Sequence, residues 1–269
     1  MKLLSCQIPQ PEIKSVIERD EHVRLLCDKL DEAMTQVEAD VIMLPELATS
    51  GYPFGRLGEV HELAEEIGGQ SVQVLRDLAL RHKTAVCFGM PRRETDSGDL
   101  HISQVFIHAD GEVGFYDKIH LHDSETEVFT PGDHLYVTKV GGVKLGIIIC
   151  YDFRFPELCR LLKVEHGVDV ILHATAFLKD DTYKSWAPFV MTRALENEVY
   201  ILSQNFAGDA FGGTLFSPPD FNDNRQVERL PDQEFFHVFE VDEALLAAKK
   251  KSAGYLDVLR ESYTGLQLR

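Results

Sequence analysis

Apolar positions divide this chain into alternating short runs and periodic stretches. Leu3 to Ile8 is a compact apolar run and predicts a strand. From Pro11 the residues Ile13, Val16, Ile17, Val23, Leu26, Leu30, Ala33 and Val37 recur every three to four positions, the spacing of one buried helix face opened by a proline. Val41-Ile42-Met43-Leu44 is a continuous apolar run stopped by Pro45, as expected of a strand covered on both faces. The same reasoning predicts a helix over 71–82, strands over 84–88, 143–149, 168–172, 199–203 and 235–241, and a helix from Pro156 to about Lys163. A further helix over 182–197 would turn Trp186, Phe189, Val190 and Ala194 inward. Residues 101–108 and 112–117 alternate across Ala109-Asp110-Gly111, a hairpin signal. The proline-containing polar stretch 218–232 predicts a surface loop.

Helices alternating with strands buried on both faces, together with a hairpin, indicate an α/β layered fold with a mixed sheet. Repeats, low-complexity tracts and Ser/Gly linkers are absent from the sequence, so one domain over residues 1–269 is expected. A chain of this length buries enough surface to fold without a disulfide or metal.

Charge narrows the function. With 27 Lys+Arg against 44 Asp+Glu the formal net charge is −17, a surface that repels nucleic-acid phosphates and anionic lipid heads. The sequence shows neither an apolar run of spanning length nor the three-part pattern of a signal peptide, which points to a soluble, cytoplasmic protein. Cys6, Cys27, Cys87, Cys150 and Cys159 are odd in number and lack Cys-x-x-Cys spacing, as for reduced, mostly inert thiols. A reactive one must be picked out by its neighbours.

Three segments share a form in which a buried strand delivers a polar residue at its carboxyl end: Val41–Leu47 with Glu46, Phe115–Leu121 with Lys118, and Gly146–Asp152 with Cys150. Active sites of open α/β sheets lie beyond that end of the strands. A free thiol is only a few per cent ionised at neutral pH, so a nucleophilic cysteine needs a base or a cation. Glu46 can take the thiol proton, and Lys118 can stabilise the thiolate and then a tetrahedral oxyanion. Taken singly, each is more ordinary as a core thiol, a turn residue or an exposed charge.

Together these segments resemble the three signatures of the nitrilase, or carbon–nitrogen hydrolase, superfamily: Leu44-Pro45-Glu46-Leu47, Tyr116-Asp117-Lys118-Ile119-His120-Leu121, and Gly146 through Cys150-Tyr151-Asp152-Phe153-Arg154-Phe155-Pro156-Glu157-Leu158. Thr130-Pro131-Gly132-Asp133 and the stretch from Trp186 to Asn197 extend the likeness over nearly the whole chain. The resemblance implies a four-layer αββα sandwich that pairs into homodimers or larger homo-oligomers, acts on a small-molecule amide and needs no cofactor or metal. It implies a Glu46-Lys118-Cys150 triad that forms a cysteine thioester, with the Tyr151 backbone N–H joining Lys118 in the oxyanion hole. A further supporting acid falls on Glu125, with Glu127 competing for the role.

Arg154 has two readings: an ion pair with Asp152, Glu157 or another acid that fixes the loop, which is the more ordinary, or a bidentate clamp on a substrate carboxylate. The Cys-Tyr-Asp-x-Arg-Phe form resembles amidase branches, including those acting on ω-amides; nitrilases proper usually carry Trp-Glu after the cysteine. Tyr52, in the Gly51–Gly55 turn, and Phe177 are candidate pocket residues, and Trp186 is either pocket or core. His120 and His122 are better read as hydrogen-bonding residues than as ligands. His173-Ala174-Thr175-Ala176-Phe177 departs from the proline-containing segment common at that place, and Gly213 stands where many members have Ser. The competing activities are an N-carbamoyl amidohydrolase with the same triad and, in a different class, a non-catalytic interaction subunit that kept the fold.

Overall fold

The computed structural model describes residues 1–53, 57–251 and 254–260. In chain order its strands are β1 (Lys2–Gln7), β2 (Val41–Met43), β3 (Ala85–Arg93), β4 (Leu100–Ile107), β5 (Val113–Asp117), β6 (Val137–Val140), β7 (Val143–Ile149), β8 (Val170–Ala174), β9 (Tyr200–Gln204), β10 (Leu215–Ser217), β11 (Glu228–Arg229) and β12 (Phe235–Glu240). The helices are α1 (Val16–Gln36), α2 (Gln70–His82), α3 (Pro156–Val164), α4 (Trp186–Asn197) and α5 (Glu243–Lys249). The strands form two six-stranded sheets, ordered β12-β1-β2-β3-β4-β5 and β11-β10-β9-β8-β7-β6. In each, three central parallel strands are flanked by antiparallel partners. The sheets face each other, α1 and α2 cover the first, and α3 and α4 cover the second. This is the expected αββα sandwich with mixed sheets.

Strand β7 illustrates why both faces of the central strands had to be apolar. Leu145, Ile147 and Ile149 point between the sheets into the larger core, whereas Ile148 points outward to Leu158, Leu162, Val190 and Ala194 of α3 and α4. Each such side chain removed from water contributes about 1.5–3 kcal/mol, and the two-residue period divides the run between two cores.

Several element limits differ from the sequence reading. Helix α1 begins at Val16, not Pro11, because the Ser15 hydroxyl accepts the Glu18 N–H at 3.2 Å and caps it. The Ser15-x-x-Glu18 pattern is a capping-box signature that the apolar periodicity overran, and Val16 and Ile17 are exposed in the first turn. Strand β8 starts two residues later than predicted, and β11 lies within the predicted 218–232 loop. Strands β6 and β10 and helix α5 are too short or too polar to stand out by pattern. Among the described residues no helix is long and apolar enough to cross a membrane.

Candidate active site

Two antiparallel steps, β3 to β4 and β4 to β5, leave β5 running in the same direction as β2. Their carboxyl ends therefore lie at one edge of the first sheet, where they release Glu46 and Lys118. Strands β7 and β8 of the second sheet run parallel and release Cys150 and the Thr175–Phe177 segment at the opposing edge.

Each delivering turn is locally specified. Glu46 follows Pro45 and precedes Leu47, whose φ is +50°. This turn lies so close over β3 that a Cβ on Gly89 would come 2.3 Å from the Leu47 nitrogen, so only glycine fits beneath it. Lys118 donates its N–H to Ile102 O at 2.9 Å, and its carbonyl accepts the Gly132 N–H at 2.8 Å. A Cβ on Gly132 would lie 2.3 Å from Asp117 O, which gives the Pro131-Gly132 turn its physical reason. Cys150 sits at φ +41° in the single-turn 3-10 segment Cys150–Arg154. Left-handed backbone is rare for a residue with a side chain and persists only where its surroundings hold it.

Lys118 Nζ lies 2.9 Å from Glu46 Oε1 and 2.6 Å from Glu125 Oε1, with all three side chains buried. The other oxygens are also held: Glu46 Oε2 accepts the Ala176 N–H at 3.0 Å, and Glu125 Oε2 accepts the His122 N–H at 2.6 Å. Tyr52 donates its hydroxyl to Glu125 Oε1. Glu125 is thus the acid beside Lys118, and Glu127 is exposed. Burial pushes the Glu46 carboxyl up, Lys118 pulls it back and Glu125 adds to the rise, leaving it at about 7. For Lys118, burial works downward, but the carboxylates of Glu46 and Glu125, with the neighbouring Cys150 sulfur, work upward and the ammonium is held above its ordinary range. Burial, reinforced by Glu46 and opposed by Lys118, raises the Cys150 thiol well above its usual value. The resting sulfur is therefore a thiol rather than a Lys118-stabilised thiolate, and its proton must leave during attack. Glu46 and Cys150 each shift the other's ionisation, which sets the carboxylate beside the thiol.

Cys150 opens onto a cleft of about 790 Å³ lined by Tyr52, His122, Glu125, Tyr151, Arg154 and Phe177, among others. Arg154 does not make the expected ion pair: among the described residues no carboxylate lies within ion-pair range of it, and its guanidinium packs over the rings of Phe177 and Phe189 at 5.6 and 4.9 Å. Its hydrogen bonds are to the Ser185 and Thr182 hydroxyls, at 3.2 and 3.4 Å. The reason is that Asp152 is already satisfied in the core, accepting the Tyr116 hydroxyl and the N–H groups of His120 and Ile149 at 2.7–3.2 Å. His120 also places its Nδ1 2.9 Å from Asp152, so it braces the turn that bears Cys150. Trp186 is core rather than cleft, 2% exposed with Phe177 stacked on it. Phe54 and Gly55 of the predicted pocket-side turn lie outside the described residues.

Sequence reasoning missed the Ala176 and His122 backbone donors, which are invisible to residue type, and the bracing role of Asp152, although that residue stands inside the cysteine motif. Among the described residues no group of three or more His, Cys, Asp or Glu side chains is arranged to hold a metal ion.

Comparison with known proteins gives the family and the fold. The carbon–nitrogen hydrolase family profile matches residues 3–228. The chain belongs to the carbon–nitrogen hydrolase family. It is 36% identical over 188 residues to a nitrilase of Pyrococcus abyssi, covering 69% of each chain. To the omega-amidase NIT2 of Homo sapiens it is 30% identical over 210 residues, covering 74% of this chain and 73% of that one. The structure of Saccharomyces cerevisiae Nit3, a member of the nitrilase superfamily, superposes with a TM-score of 0.81 at 21% identity, over 93% of both chains. This carbon–nitrogen hydrolase thus has the sandwich of its superfamily.

Proposed function

We propose that the protein hydrolyses a small linear ω-amide, one whose far end carries a carboxylate, through a thioester on Cys150. The observation that carries this reading is the buried Glu46–Lys118–Glu125 cluster at the foot of the Cys150 cleft. Cys150 Sγ attacks the amide carbon while its proton passes to Glu46. The developing oxyanion meets the Lys118 ammonium and the Tyr151 N–H. Glu46 then returns the proton to the departing nitrogen, and ammonia leaves. Water next attacks the thioester, giving its proton to Glu46, and the carboxylate product departs as the sulfur regains a proton. Glu125, braced by Tyr52 and His122, keeps Lys118 charged and aimed.

Arg154 supports the ω-amide assignment. It is a cation in the cleft wall without an acidic partner among the described residues, pinned by two aromatic faces, and its planar fork suits a carboxylate. Homology to an omega-amidase is in accord. Partly exposed Leu161 and Val164 on α3, with Met191 and Leu195 on α4, favour a homodimer joined through the outer helices of the second sheet, which sedimentation will test.

The assay is release of ammonia from succinamate and glutaramate, set against propionamide, N-carbamoyl-β-alanine and propionitrile. Turnover of the two ω-amides, abolished in Cys150→Ala, is expected. Ammonia accompanied by carbon dioxide from the carbamoyl compound supports the amidohydrolase alternative, and turnover of the nitrile matches the name of the Pyrococcus relative. If iodoacetamide labels Cys150 no faster than Cys6 or Cys87, the non-catalytic alternative replaces all of these.

A further inference from the structure

The His173–Phe177 segment contains a buried imidazole that the mechanism above does not use. His173 lies on β8, in register with Ile148 of β7 and Ser203 of β9. It is 1% exposed, and the Phe153 ring stacks on it at 4.2 Å with 13° between the planes. Three hydrogen bonds run in series through it: Trp186 Nε1 to Ser203 Oγ at 2.8 Å, Ser203 Oγ to His173 Nδ1 at 2.8 Å, and His173 Nε2 to the Cys150 carbonyl at 3.1 Å.

Donor inventory fixes every proton in this series. The Cys150 carbonyl can only accept, so Nε2 of the neutral ring bears the proton and Nδ1 is an acceptor. Ser203, which accepts from the indole N–H, therefore gives its own hydrogen to Nδ1. Burial draws the His173 pKa down to about 3, so the ring is a neutral, fixed donor and not a proton carrier.

The Cys150 carbonyl and the Tyr151 N–H belong to one planar trans peptide group and point in opposite directions. A hydrogen bond that pins the oxygen therefore sets the direction of the N–H, and polarises the group so that the N–H donates more strongly. We propose that His173 is a positioning residue that aims the oxyanion-hole donor of this enzyme, by holding the far end of the Cys150–Tyr151 peptide plane against the left-handed turn at the nucleophile. The assignment rests on the reading of the Tyr151 N–H as an oxyanion donor.

Two reactions of Cys150 separate positioning from general damage. Acylation by p-nitrophenyl acetate passes through an oxyanion, with nitrophenolate leaving as the thioester forms. Alkylation by iodoacetamide expels iodide from a tetrahedral carbon and has no oxyanion. Both rates are to be measured on the full chain for the parent, His173→Asn and His173→Gln. Asparagine can still accept from Ser203 but is too short to reach the Cys150 carbonyl, whereas the glutamine amide reaches the position of Nε2. We expect the nitrophenolate burst of His173→Asn to slow by about 10- to 100-fold, the scale of a misaimed or lost oxyanion donor, while alkylation stays within about twofold of the parent by the same reasoning. His173→Gln is expected to restore most of the burst. Should His173→Asn not fold, His173→Phe, which keeps the stack on Phe153, carries the same readings. A burst unchanged in the variants overturns the assignment, as does a burst that falls in proportion to alkylation. A parent without any burst overturns the acyl-enzyme reading itself and this assignment with it, so the two failures are distinct.

Discussion

Replacing Glu46 by glutamine isolates the energetic cost of a buried base. Glu46 is fully buried and holds its proton up to about pH 7, against an ordinary value of 4.5. The folded state therefore binds this proton more tightly than the unfolded state, and the group's contribution to stability is fully present below pH 4.5 and lost as pH rises through 7. At ~1.4 kcal/mol per unit of displacement, raising the pH from about 5 to about 8 costs the parent roughly 2–3 kcal/mol through this one residue. Glutamine cannot ionise, so Glu46→Gln should escape the loss. It also sets an amide N–H against the Ala176 N–H, a constant penalty that does not depend on pH. The informative quantity is therefore the stability difference between variant and parent at two pH values, measured by urea unfolding. That difference should move in favour of Glu46→Gln by roughly 2–3 kcal/mol between pH 5 and pH 8, in a protein that has lost turnover. A difference that is flat, or that slopes the other way, would refute the claim that desolvation dominates the ionisation of Glu46.

The remaining predictions concern rate and specificity. The acid limb of kcat/KM should fall near pH 7 and belong to the coupled cluster rather than to one residue; because Glu125 raises Glu46, Glu125→Gln should move that limb to lower pH, read from pH–rate profiles. Lys118→Ala should lower kcat by about 10²–10³-fold in steady-state ammonia release. It should also shift the acid limb upward, since the cation that opposes the rise of Glu46 is gone. Arg154→Met should raise KM for succinamate by about 10-fold or more, the loss of a charge-assisted hydrogen-bonded contact, while leaving the KM for propionamide unchanged. Equal effects on both substrates would assign Arg154 to loop structure instead.

Local rules determined much of this protein. Largely apolar runs of four to seven residues located the central strands of both sheets because a strand covered on both faces carries few polar positions to blur the signal, with Ser5, Gln7, His173 and Ser203 among the exceptions. The chemistry was legible for a related reason: Cys150 stands directly after such a run and Glu46 one residue beyond another, so the buried strand also marks where a polar residue emerges, whereas Lys118 follows the edge strand β5 and was marked by its motif. Periodicity alone overran the start of α1, where the Ser15 hydroxyl competes for the first-turn N–H groups, and it passed over β6 and β10, whose edge or brevity leaves little pattern. What only the tertiary structure decided depends on groups distant along the chain. Glu125 displaces Glu127 because one carboxylate turns under Tyr52 onto Lys118 while the other faces solvent. Arg154 is released from Asp152 because Tyr116, His120 and the Ile149 amide reach that carboxylate first. The pKa of Glu46 and the proton of His173 are fixed by desolvation and by partners on other strands, and neither follows from residue type: the cost of burying a charge or a polar group depends on what the fold places around it.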